Sequence, residues 1–166
     1  MMYYIRFGLR ACVYVVLQVL LFDALDLFDT IRPTIFLTFL LLIPLEFSLI
    51  GQYVLVFVLG FLLDLFSLPM GAHAFSGLLV MGIRPYWMRM ITSRVFMEDK
   101  ETFVIQKQNV RWLLNYFIAL AFVYELIYYT LANFSFTFHT LLQAIGSTIY
   151  STLFCMIFII LFHKND

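Results

Sequence analysis

The side chains of this chain that could do chemistry are few, and most sit in apolar surroundings. Asp64 and Glu125 are carboxylates inside long apolar runs. An ionisable group in such a run is costly to bury, which makes each a candidate for a functional role. Asp64 follows Gly60 by four residues, a spacing that puts both on one face of a helix. The glycine admits a neighbouring backbone, and the carboxylate can accept hydrogen bonds from the turn that follows. Two readings of Asp64 stand side by side. One is a structural switch or partner contact; the other is a helix-end carboxylate bonded to the turn from Ser67 to Gly71, or to His73. Glu125 lies among Tyr124, Tyr128 and Tyr129, past Arg111 by about 21 Å of helix. It reads either as a proton or ion site or as an interfacial carboxylate held by tyrosine hydroxyls. Glu46 falls in a tight turn, as a turn residue or as a contact for a cytoplasmic partner.

The rest of the inventory is thin. The sequence has no Ser/His/Asp set, no phosphate-cradling glycine loop and no His/Cys cluster, so no catalytic residue, metal or cofactor is expected. A membrane enzyme would need an acid, base or nucleophile set at one depth; only Asp64, His73 and Glu125 could share one. His73, His139 and His163 fall near the ends of apolar runs and read as interfacial. Cys12 and Cys155 read as small buried apolar residues. Gln18, Asn115 and Gln143 lie within apolar stretches, where hydrogen bonding between helices is the default.

The elements that must position these groups follow from composition. Of 166 residues, 64% are apolar and 12% are charged, about half the charge of a soluble domain. The net charge of zero points to no nucleic-acid partner. The apolar runs are continuous rather than alternating, so they predict helices and not a barrel, because lipid requires each backbone polar group to be satisfied internally. The expected fold is an all-α integral membrane protein, one domain over 1–166, with about six transmembrane helices. The spans are expected at 5–22, 33–43, 51–66, 72–91, 112–131 and 140–162. The first run ends in Asp23-Ala24-Leu25-Asp26, which lacks a small-x-small cleavage site, so it reads as a retained helix. Pro33 is placed at the opening of the second helix. Pro85 is expected to end or kink the fourth. The second and third helices are short and close together. They could be tilted, broken or partly re-entrant, and a five-helix count is the alternative.

Orientation follows from the basic residues. With six spans and both termini cytoplasmic, nine of the ten basic residues lie inside: Arg6, Arg10, Arg84, Arg89, Arg94, Lys100, Lys107, Arg111 and Lys164. Only Arg32 lies outside, in an acidic first loop with Asp23, Asp26 and Asp29. The hydrophilic segment from Thr92 to Arg111 reads as a docking surface for a cytoplasmic protein or as a topology signal that binds anionic lipid.

One stretch resembles a known family. From Gly60 to Phe75 the sequence reads Gly-Phe-Leu-Leu-Asp-Leu-Phe-Ser-Leu-Pro-Met-Gly-Ala-His-Ala-Phe. It resembles the MreD rod shape-determining family, in which a glycine, an aspartate four residues later and a small-residue break precede a Gly-x-(aromatic or His)-Ala element. Those features fall on Gly60, Asp64, Gly71, His73 and Ala74, with Pro69 inside the break. The motif covers about fifteen residues, while chain length, span number and the basic fourth connection agree over the whole chain. The resemblance implies a multi-pass protein of the bacterial cytoplasmic membrane with no catalytic residues. It implies that the protein binds an MreC-like membrane protein and helps organise lateral-wall peptidoglycan synthesis. MreB, RodA and a penicillin-binding transpeptidase would be the wider partners. On that expectation Gly60, Asp64, Gly71 and His73 shape the core, while outer loops and helix faces meet the partner. The competing expectation is the substrate-binding subunit of an energy-coupling-factor-type vitamin transporter. Such subunits carry an Ala-x-x-x-Ala patch on the first helix; here Ala11 is followed by Val15. Asp64, Glu125 and His139 would have to converge to line a vitamin pocket.

Overall fold

A computed structural model describes residues 11–22, 31–45, 47–67, 69–92, 105 and 108–162. The described residues form an all-α structure with six helices and no strand. Helix α1 covers 11–22 and ends in a wider π-helical turn at Gln18–Phe22. It is followed by α2 (Phe36–Leu41), α3 (Leu49–Asp64), α4 (Ala72–Ile91), α5 (Val110–Asn133) and α6 (Phe138–Phe162). Helices adjacent in the chain pack together: α3 on α4, α4 on α5 and α5 on α6, with α2 touching both α4 and α6.

Local chemistry explains the boundaries. Ser48 caps α3 by accepting the Gly51 N–H on its side-chain oxygen, at 3.2 Å, and Asn109 caps α5 by accepting the Arg111 N–H at 3.2 Å. Such caps satisfy donors that an α-helix leaves open at its start. The third helix therefore begins two residues earlier than expected. The fourth matches its expected range and passes through Pro85 without ending. Helices α5 and α6 are each longer than expected by two residues or more, and both are long and apolar enough to cross a membrane.

The second span needs correction. The stretch 33–43 is not a continuous helix. Only Phe36–Leu41 is α-helical, and Pro33 lies ahead of it in non-helical backbone instead of opening it. All of 33–43 is buried, with Ile35, Phe36, Leu37, Leu40, Leu41 and Ile43 wholly out of contact with solvent. Of the forms considered above, a broken segment is the one found. Six residues rise only about 9 Å, far less than the ~30 Å hydrocarbon thickness.

Side chains are sorted in an unusual way. The outward faces carry Leu49, Ile50, Phe57, Phe61, Leu79, Ile118, Ile149 and Leu153, all exposed. The interior holds Gln18, Gln52, Asp64, His73, Arg84 and Glu125, along with several serines and threonines. A water-soluble domain buries charged groups only rarely.

Candidate functional site

Two polar assemblies lie inside the bundle, and they divide the expected site residues between them. The first is the joint between α3 and α4. Helix α3 ends at Asp64, and α4 begins after Gly71, whose φ of 91° lies in the left-handed region that glycine adopts freely. This sharp return aims the opening N–H groups of α4 back at α3. Asp64, only 1% exposed, accepts the His73 N–H at 2.9 Å and the Ala74 N–H at 3.0 Å on its two oxygens, and accepts the Gly71 N–H as well. The carboxylate thus caps α4 from outside the helix, where the positive end of the helix dipole favours an anion.

Gly60 makes the joint close-packed. A Cβ there would lie 2.6 Å from the Ala74 Cα and 2.9 Å from its nitrogen, so α4 approaches α3 backbone to backbone. The imidazole of His73 points the other way, to α5. Its Nδ1 lies 2.7 Å from the Tyr124 hydroxyl, and its ring packs on Tyr128 with centroids 4.5 Å apart. His73 is therefore an interior residue, joined to a neighbouring helix. Gly60, Asp64, Gly71 and His73 meet at one place; Pro69 lies in the connecting turn, where its carbonyl accepts the Ala72 N–H at 3.4 Å.

Glu125 does not join them. It belongs to the second assembly, built around the broken segment. Buried non-helical backbone needs partners for its polar groups. Side chains supply them here. Gln18 accepts the Ile35 N–H at 2.7 Å and the Phe36 N–H at 3.2 Å, and donates to the Pro33 carbonyl at 3.2 Å. The Thr34 N–H donates to Ser151 at 2.8 Å, and the Ser151 hydroxyl donates to Glu125 at 2.9 Å. The Thr34 side chain also bonds Glu125. The Arg32 N–H donates to the Tyr129 hydroxyl at 3.4 Å, which in turn lies 2.7 Å from the Ser147 hydroxyl. Glu125 is 1% exposed and is held by Ser151 and Thr34. The expectation that tyrosine hydroxyls hold it is corrected: a serine and a threonine do so.

The far end of α2 is held by Arg84. Its Nη2 donates to the Ile43 carbonyl at 2.5 Å, and its Nε donates to the Tyr116 hydroxyl at 2.7 Å. The Tyr116 hydroxyl in turn donates to the Leu41 carbonyl at 3.0 Å. Gln52 lies 3.4 Å from Nη1 and donates to the Phe47 carbonyl at 2.8 Å. Carbonyls at a helix C-terminus lack intrahelical partners and attract a cation. Arg84 is 1% exposed, so it is a core residue and not part of a surface connection. Carboxylate near the start of α2 and guanidinium at its end complement the direction of its dipole.

Other expected residues are scattered. Cys12 is exposed, contrary to the buried reading, whereas Cys155 is buried and accepts the Thr38 hydroxyl at 2.7 Å. Asn115 and His139 are exposed, and Gln143 accepts from Asn133 at 2.8 Å across the α5–α6 turn. His139 therefore does not converge with Asp64 and Glu125. Glu46, His163 and most of the hydrophilic stretch before α5 lie outside the described residues. Arg84, Tyr116, Gln52 and Ser151 were missed as a group. The signal for Arg84 is a basic residue within an apolar run, which reads equally as a mark of orientation.

Chemically, both assemblies satisfy backbone. The Asp64 oxygens are occupied by N–H groups, and the Glu125 carboxylate is held by hydroxyls that themselves hold the chain around Thr34. No protein-family model, curated protein or solved structure matches this chain.

Proposed function

We propose that this chain is a multi-pass protein of the bacterial cytoplasmic membrane that acts as a non-catalytic scaffold of the MreD kind. In this reading it binds an MreC-like membrane protein and helps organise lateral-wall synthesis with MreB, RodA and a penicillin-binding transpeptidase. The observation that carries the membrane part is the inverted sorting of side chains. Exposed Leu, Ile, Val and Phe cover the outward faces, and the charged groups are turned inward onto backbone. Lipid favours that arrangement, since charges inside a bilayer face the bundle interior. The scaffold part is supported by the joint. The residues that carry the family resemblance come together there, and their polar atoms serve to fix two helices rigidly against each other.

The test is a mild-detergent purification of the tagged protein from its native membrane, with identification of what accompanies it. Recovery of an MreC-like protein with elongation enzymes is the expected result. Recovery of an ATPase pair with a coupling membrane subunit would make the chain a transporter subunit instead. In cells, Asp64→Asn combined with His73→Ala is expected to disturb rod shape; normal shape would count against a role for the joint.

A further inference from the structure

The turn between α5 and α6 carries a feature that neither polar assembly uses. Phe134, Phe136 and Phe138 are 87%, 69% and 75% exposed, alternating with Ser135 and Thr137. Phe134 ends α5 with φ 49° and ψ 23°, the only positive-φ non-glycine position among the described residues. Glycine or asparagine ordinarily takes such a helix-ending position, and a bulky residue there is strained. A hydrophobic residue at this place can offset the strain by packing back onto the last turn of its helix. At 87% exposed, Phe134 makes little such contact. The chain thus holds a large aromatic side chain outward at a position that disfavours it. Strain of this kind is a pointer to function.

Helix length and the absence of charge point to the occupant. Helices α5 and α6 have 24 and 25 residues, or about 36 and 37 Å of helix. Both exceed the ~30 Å hydrocarbon core, so ends that overrun it lie in the headgroup region. The stretch Asn133 to Thr137 carries no charge, and charge would oppose insertion among acyl chains. Asn133 ties the turn to α6 through Gln143 at 2.8 Å and Thr140 at 3.3 Å, and Thr140 donates to the Ser135 carbonyl at 3.2 Å. The three rings are therefore presented from a braced turn.

We infer that the α5–α6 turn is a lipid-interface anchor, with Phe134, Phe136 and Phe138 inserted at the boundary between headgroups and acyl chains of one leaflet. Three rings on one turn would fix the vertical position of the α5–α6 pair and limit its tilt. The inference rests on the membrane-spanning reading above.

Its test is tryptophan scanning in reconstituted vesicles, with the emission of Trp87 and Trp112 subtracted by means of the parent protein. Phe134→Trp, Phe136→Trp and Phe138→Trp are made singly, so that one poorly folding variant does not decide the matter. Ile149→Trp, on the outward mid-length face of α6, is the control. Vesicles contain phosphatidylcholine brominated either near the headgroup or near the bilayer centre. The expected result is blue-shifted emission at the turn, quenched more strongly by the shallow bromines, with Ile149→Trp quenched more strongly by the deep ones. If the control is quenched but the turn emits as in water and is open to an aqueous quencher, the anchor is overturned and a protein partner becomes the occupant. If the control itself escapes lipid quenching, the membrane-spanning reading fails, and the anchor with it.

Discussion

At the α3–α4 joint, Asp64 and the N–H groups it holds are seven to ten residues apart in the chain. Around α2, the backbone is held by Arg84 from 41 residues away, by Tyr116 from 75 and by Ser151 from 117. Both regions solve one problem, the satisfaction of backbone groups hidden from water. The joint solves it with a neighbour in sequence and a glycine turn. The broken segment solves it only after α1, α4, α5 and α6 have assembled around it. A local device tolerates the loss of one bond, because the turn still returns the chain. A distributed device lacks that local return: the buried N–H and C=O groups of Thr34, Ile35, Leu41 and Ile43 are met by side chains from other helices, and leaving such a group unpaired costs its full desolvation.

That contrast ranks the outcomes of mutation. Arg84→Leu is expected to be the most damaging, destabilising the protein by about 3 kcal/mol, since it strips the Ile43 carbonyl and leaves Tyr116 without its donor. Denaturant unfolding in detergent measures it. Arg84→Lys should recover only part, because an ammonium lacks the planar fork that reaches two acceptors. Should Arg84→Leu cost less than any change at the joint, the proposed contrast is broken. Gly60→Ala comes next, at about 2 kcal/mol, because the new methyl meets the Ala74 backbone and not a side chain that can swing away. A falling thermal midpoint in detergent, compared with the parent, is the readout.

Asp64→Ala is expected to cost about 1.5 kcal/mol by uncapping α4. Hydrogen exchange sharpens the comparison here: faster exchange should be confined to the amides of Gly71, His73 and Ala74. Exchange that spreads to α2 would show that the two regions are not independent. Gly71→Ala should cost about 1 kcal/mol, from backbone strain alone, because open space surrounds the position where a Cβ would go. The smallest effect belongs to Glu125→Gln, within about 0.5 kcal/mol, since an amide oxygen still accepts from Ser151 and Thr34. Glu125→Leu removes that acceptor and should cost clearly more in the same unfolding experiment.

The legibility of the molecule follows the same division. The range of α4, the shared face of Gly60 and Asp64, and a carboxylate bonded to the succeeding turn were all readable, because each depends on residues within about one helical turn of a break. Pro33 misled because proline is favoured at a helix start, yet here it sits in non-helical chain whose carbonyl is held by Gln18. Glu125 misled because its neighbours in sequence are tyrosines, while its neighbours in space are a serine on α6 and a threonine beside α2. Arg84 misled because a basic residue near the end of an apolar run has the same appearance whether it faces water or a buried helix terminus.

By itself, the sequence determined that the chain is helical, that its apolar runs are long and continuous, and that a glycine-aspartate pair lies next to a turn. Those properties are set by residue type and local spacing, which survive whatever the rest of the chain does. Only the tertiary structure decided that one apolar run is broken, that Arg84 and Glu125 belong to its two ends, and that Phe134 is held outward against its backbone preference. These depend on which helices meet and at what depth. A hydrogen bond spanning 117 residues leaves no periodicity in the sequence from which it could be read.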